Sequence, residues 1–191
     1  MSRIRTVIRR GLWLLLFVLA AGLLLPEARQ VPVQGADRND WHPQTFWYHP
    51  WGKSGVHKGV DIFADAGTPV IASSGGLVLY RGELSRGGKV VLMLGPKWRL
   101  HYYAHLQGIA DSGIWLGAGA PVGTVGDSGN AAGKPPHLHY SLVSLLPMFW
   151  RADEAPQGWK KMFFLDPTTH FVIRQGAVSY THLTLPTTLV V

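Results

Sequence analysis

The chain has 191 residues, of which 47% are apolar and 15% charged, a composition that excludes a disordered chain and allows one domain with a hydrophobic core. It contains no cysteine, so disulfides and thiolate metal sites are excluded and any metal must rest on His, Asp or Glu. The formal charge is +7, but from Gln30 onward 13 Lys and Arg stand against 10 Asp and Glu, with no basic stripe; a nucleic-acid-binding surface is excluded.

The first element is an N-terminal hydrophobic helix. Arg3, Arg5, Arg9 and Arg10 lead into an apolar run of about 14 residues from Leu12 to Leu25. That run is shorter than the roughly 20 residues that span a bilayer comfortably. Residues 1–29 therefore read either as a cleaved signal peptide or as an uncleaved signal anchor with its arginines on the cytoplasmic side. Ala20-Ala21-Gly22 is the one small-residue cluster that could serve cleavage. In both cases the remainder is expected to be exported to the periplasm or cell envelope. In the second case it stays anchored to the inner membrane. Residues 30–45 read as a linker and 46–177 as a single domain.

Within that domain, short β-branched or apolar runs alternate with glycine turns. Strands are expected at Thr68 to Ala72, Leu77 to Tyr80, Lys89 to Leu94, Arg99 to Leu106, Pro121 to Val125 and Leu138 to Val143. After Leu25 no stretch of 12 residues carries a 3.6-residue apolar period. The fold class is all-β, an antiparallel sheet or sandwich. At the far end, Val178 to Val191 resembles the translation of a transposase-based sequencing adapter. It is read as a non-native tail, and His182 within it is set aside.

Three segments carry chemistry. His57-Lys58-Gly59-Val60-Asp61 sets an imidazole and a carboxylate four residues apart; Gly59 and the β-branched Val60 and Ile62 disfavour helix, and in an extended segment the pair shares a face. Such a pair fits a surface ion pair as well as a metal site. In Pro135-Pro136-His137-Leu138-His139-Tyr140, a strand points both histidines to one face and Leu138 and Tyr140 to the other. From Arg99 to Leu106, alternation puts His101, Tyr103 and His105 on one face, so that one of these histidines faces a site. A carboxylate and several histidines on short strands follow the plan of a catalytic zinc site, with three ligands and one open position. Gly126 to Lys134 mimics a phosphate loop, but its spacing fails. It is expected to be a mobile turn that delivers the next strand. The aromatics Trp41, Phe46, Trp47, Tyr48 and Trp51 suit either core packing or a groove wall. Leu145 to Trp150 is an apolar loop with no decided partner.

Taken in order, these segments resemble the lysostaphin/LytM-type zinc endopeptidases. His57-Lys58-Gly59-Val60-Asp61-Ile62 with Gly67-Thr68-Pro69-Val70 is similar to the first signature of that family. Tyr103-Ala104-His105-Leu106 is similar to the second. Gly126-Asp127-Ser128-Gly129-Asn130 with His137-Leu138-His139-Tyr140 is similar to the third. The resemblance spans roughly Gly52 to Ser141. It implies a β fold with a substrate groove and zinc (Zn2+) held by His57, Asp61 and His139. It further implies His105 and His137 as catalytic histidines, and peptidoglycan peptides as the substrate. This chain departs from the pattern at Lys134-Pro135-Pro136, where a glycine is usual, and at Ser141. A non-catalytic or latent peptidoglycan-binding regulator of other wall hydrolases is the alternative, although such proteins usually lack the ligands. A D-Ala-D-Ala-type carboxypeptidase needs a wider His-to-Asp spacing and a glutamate base that this chain lacks.

Overall fold

Short strands bury apolar residues only by pairing, and here they pair into two antiparallel sheets. The computed structural model describes residues 2–171, so the tail from 178 onward lies outside the described residues. One α-helix, α1 (Ser2–Leu24), precedes ten strands. These are β1 (Val60–Phe63), β2 (Pro69–Ile71), β3 (Gly76–Leu84), β4 (Gly88–Gly95), β5 (Arg99–Leu106), β6 (Gly108–Ile109), β7 (Trp115–Leu116), β8 (Pro121–Thr124), β9 (His137–Ser144) and β10 (Phe164–Leu165). The larger sheet runs β1-β9-β5-β4-β3-β7, with β10 added on β9; the smaller runs β2-β8-β6. Every strand expected from the sequence is present. Strands β6, β7 and β10 have two residues each, too few to show a period.

The core follows from alternation. On β1, Val60 and Ile62 are buried while Asp61 and Phe63 face outward. On β9, Leu138, Tyr140 and Leu142 are buried, leaving His137, His139 and Ser141 on the opposite face. Val91, Met93, Tyr103 and Leu106 complete the central part of the core. Each fully buried aliphatic side chain contributes roughly 1.5–3 kcal/mol. The buried Tyr103 hydroxyl accepts a 3.0 Å hydrogen bond from the Ser73 amide, which satisfies it inside the core.

The 30–45 segment lies along the smaller sheet. The Gln30 amide donates to the Ser73 carbonyl (3.0 Å) and the Ile71 amide to that of Pro32 (2.9 Å). Val33 and Trp41 are buried in the core, and Trp41 meets Phe171 edge-on at 5.5 Å.

Helix α1 stands largely outside this body. It has 23 residues, longer than the apolar run because its arginine-rich start is helical too. At about 1.5 Å per residue it is long enough to cross a bilayer core of about 30 Å. Its most apolar 18-residue stretch has a mean hydropathy of 2.0 and is almost entirely unburied. Its C-terminal end touches the β4–β5 turn, where the Trp98 indole donates to the Leu19 carbonyl at 2.9 Å. Gly22 packs directly on that indole, leaving no room for a Cβ.

Candidate active site

The antiparallel register of β1 against β9 pairs Asp61 with His139 directly. His57 lies just before β1, fixed by two backbone hydrogen bonds: its amide to the Tyr48 carbonyl (3.1 Å) and the Trp47 amide to its carbonyl (2.7 Å). Gly59 permits the close approach. A Cβ there would stand 2.5 Å from the Tyr140 carbonyl and 2.7 Å from Ser141 Oγ. His57 Nε2, Asp61 Oδ1 and His139 Nδ1 consequently converge, at 3.1 Å, 3.1 Å and 2.7 Å from one another. Among the described residues this is the one His/Asp/Glu group close enough to hold a metal ion.

The far side of each ring is also held. His57 Nδ1–H donates to the Thr45 carbonyl at 3.0 Å, leaving the Nε2 lone pair to face the cluster. His139 Nε2 meets Ser141 Oγ at 3.0 Å, which orients Nδ1 inward. Trp51 stacks on His57, with ring centroids 4.2 Å apart and planes at 24°. Burial pushes the Asp61 pKa up, but hydrogen bonds to His139 and His57 outweigh it and hold the carboxyl well below the usual carboxylate range. The donor set fits zinc. Two imidazole nitrogens and a carboxylate oxygen are hard-to-borderline ligands, and ligand atoms about 2.1 Å from a tetrahedral zinc sit roughly 3.3 Å apart, near the spacing seen here. Partners on the outer nitrogens are what metal-binding histidines require.

His105 and His137 face the same groove, and their rings are 5.1 Å apart. His137 arrives by plain alternation along β9. His105 does not. Strand β5 pairs Tyr103 with Val91 and Leu106 with Lys89, so β5 carries one extra residue across this interval. His105 takes φ +64 within that bulge. Ala104 and His105 both line the groove as a result, while Tyr103 and Leu106 stay in the core. The expectation that His101, Tyr103 and His105 share a face is thus corrected. His101 is buried and joins the Tyr140 hydroxyl at 2.7 Å, away from the cluster.

The two groove histidines are anchored alike. His105 Nδ1–H donates to the Ser128 carbonyl (2.9 Å) and His137 Nδ1–H to that of Pro135 (2.8 Å). Burial pushes the His105 pKa down to about 4 despite the bond to Ser128, so the ring is neutral at neutral pH and Nε2 carries a lone pair. The groove has a volume of about 970 Å3. The turn holding Ser128 is tied down rather than loose: Ser128 Oγ donates to the Leu106 carbonyl (2.8 Å) and the Asn130 amide to that of Arg86 (3.0 Å).

Ser141 stood out in the sequence only as a departure from the family pattern, and the carbonyls that hold the rings not at all. Ser141 shares the face of His139 two residues on, so alternation could have found it. The carbonyls of Thr45, Ser128 and Pro135 leave no side-chain signal. Trp51 settles part of the question about the aromatic run: it walls the groove, while Trp41 is core and Trp47 packs on Phe164.

A two-sheet antiparallel fold that gathers a His-Asp-His cluster and two further histidines in one groove has the layout of a metallopeptidase. Residues 55–146, just under half of the chain, match the model of Peptidase family M23. Over 116 residues it is 38% identical to an L-Ala–D-Glu endopeptidase of Bacillus subtilis, covering 55% of this chain and 35% of that protein. Over 119 residues it is 32% identical to the peptidoglycan DD-endopeptidase ShyC of Vibrio cholerae, covering 61% of this chain and 26% of that one. Among solved structures, lysostaphin from Staphylococcus simulans superimposes with a TM-score of 0.51 at 26% identity, over 61% of this chain and 46% of that one. The chain thus spans about a third or less of the length of these two sequence relatives.

Proposed function

We propose that this chain is a zinc-dependent endopeptidase that hydrolyses peptide bonds in peptidoglycan stems or cross-bridges. The observation that carries the reading is the convergence of His57, Asp61 and His139 beside His105 and His137 in one groove. The names of the relatives, an L-Ala–D-Glu endopeptidase and a peptidoglycan DD-endopeptidase, support the substrate class.

His57 Nε2, the Asp61 carboxylate and His139 Nδ1 would hold the zinc. When bound, the ion supplies a Lewis acid that polarises a scissile carbonyl and acidifies water. The chain's own residues do the rest. Nε2 of His105 and of His137 makes no hydrogen bond among the described residues and faces the groove. A neutral His105 accepts a proton from the attacking water at Nε2. The imidazolium then returns a proton to the leaving amine. The Ser128 and Pro135 carbonyls steady the two rings through both steps, and His137, its Nδ1–H held by Pro135, presents Nε2 as an acceptor that helps orient the attacking water. Trp51 and Phe63 wall the groove and limit water access.

The domain boundaries proposed are 46–177 for the peptidase unit, with 30–45 packed onto it through Val33 and Trp41 rather than free as a linker, and 1–29 as signal or anchor. α1 supports placement in the cell envelope, and its length and hydropathy suit a signal peptide and an anchor alike. The experiment is a mass-spectrometric muropeptide profile of peptidoglycan incubated with the full chain in detergent, with zinc or with chelator. New stem or cross-link fragments that vanish with chelator are expected and identify the bond. An unchanged profile with zinc bound overturns the hydrolase reading.

A further inference from the structure

The charge of the groove is at odds with that of the rest of the chain. Lys53, Lys58, Arg86 and Lys134 line it, and the one carboxylate in its lining, Asp61, is committed to the two histidines. No ion pair involves any of these four cations among the described residues. From Gln30 onward the chain has 13 Lys and Arg and 10 Asp and Glu. Setting aside the four groove cations and Asp61 leaves nine against nine. The whole positive excess beyond the N-terminal segment therefore lies in the groove.

The cations approach it from three sides. Lys58 follows His57 directly, and its ammonium donates to the Ser54 and Val56 carbonyls at 3.1 and 3.4 Å. Arg86 sits in the β3–β4 turn, whose Gly87 carbonyl accepts the His105 amide at 2.8 Å. Lys134 precedes the proline pair that leads into His137. Arg86 and Lys134 are exposed, so neither has a packing reason to be charged. A concave site lined by one sign of charge, with apolar walls such as Trp51 and Phe63, focuses its field on whatever enters.

Building on the reading of this groove as a peptidase site, we propose that it selects peptides bearing free carboxylates, held by Lys58, Arg86 and Lys134, over neutral ones. The matching substrate is a stem peptide whose acidic residues are not amidated. A neutral glycine cross-bridge presents nothing for these cations to bind. Charge-assisted hydrogen bonds of this kind supply discrimination because the amide of the same shape lacks the charge.

The test uses calorimetric binding to the full-length, zinc-loaded His105→Ala chain in detergent, which keeps the groove cations and suppresses turnover. The two probes are a synthetic stem tetrapeptide with free carboxylates and the same peptide with every carboxylate amidated. The acid form is expected to bind about tenfold tighter or more, as one or two charge-assisted bonds imply. The preference should shrink in high salt and in an Arg86→Gln/Lys134→Gln chain, both exposed positions where folding is not at stake. Equal affinities, absence of binding by either peptide, or a preference that survives the double substitution overturns the proposal. Failure here alongside chelator-sensitive hydrolysis of peptidoglycan removes only the charge selectivity. A strong preference in a chain that hydrolyses nothing keeps the selectivity and removes the hydrolase reading.

Discussion

Strands β9 and β5 lie side by side at the centre of the sheet, and β9 sends two histidines and β5 one into the groove, but they do so by different rules. Strand β9 is regular: every second residue faces the cluster, and His137, His139 and Ser141 line up without exception. Strand β5 is regular only as far as Tyr103. Past that point one extra residue and a left-handed φ of +64 turn His105 out of the core and into the groove. The difference teaches that Asp61, His137 and His139 ride on the sheet's own period, whereas His105 is placed by a local departure from it. Bulges beside active sites serve to re-aim a side chain in this way.

The comparison is sharpened most by substituting one histidine from each strand. His139→Ala leaves two ligands of three, and the metal content should fall from about one zinc per chain to near zero, read by elemental analysis after dialysis. His105→Ala should keep its zinc and lower kcat by about 10²–10⁴-fold, as loss of a proton-transfer group does. Full turnover in that variant would assign the bulge no chemical purpose.

A smaller effect concerns the other histidine of β5, which faces the core. His101 is buried, and burial followed by the nearby Arg99 charge lowers its pKa to about 4. Above the unfolded value of about 6.5 it is neutral in both states and costs nothing. As the pH falls from there, the unfolded chain takes up a proton that the folded chain resists until about pH 4. Stability should therefore drop through that window by about 3 kcal/mol and level off below it. Urea midpoints from pH 7 to 4 should show a shallower decline in His101→Gln. Parallel slopes would mean that the buried ring is relieved some other way.

The smallest effect concerns backbone alone. At φ +64 glycine is unstrained, so His105→Gly should be more stable than His105→Ala by about 1 kcal/mol. On regular β9 the order reverses, with His137→Gly less stable than His137→Ala by roughly 0.5–1 kcal/mol. Thermal unfolding midpoints of the four chains decide it; the same order at both positions would erase the distinction between the strands.

This contrast also explains what was legible in the sequence. The all-β class and six strands could be read because short β-branched or apolar runs alternate with glycine turns, and the family resemblance added the antiparallel arrangement. His57, Asp61 and His139 could be singled out because their spacing and order match a known pattern, and extended segments put them on common faces. The position of His105 could not follow from alternation, which sends it to the side of Tyr103. Only the resemblance to a family pointed to it. The carbonyls that hold the imidazoles left no trace, since a main-chain oxygen looks the same in every residue. The attachment of residues 30–45 to the smaller sheet was hidden because its apolar alternation is only Val31 and Val33 around Pro32, too short to read as a strand.

The way α1 meets the domain has a consequence for reach. The helix ends at Leu24, and the chain is already bonded to the smaller sheet at Gln30. Glu27, between them, is ion-paired with Arg99 at the start of β5. Five residues at full stretch extend at most about 18 Å, less than the thickness of a bilayer core. With α1 in a membrane this is a leash rather than a flexible tether. The groove can then reach only a layer of space next to the lipid, and any wall peptide it takes, on the function proposed above, would be one lying close to the membrane.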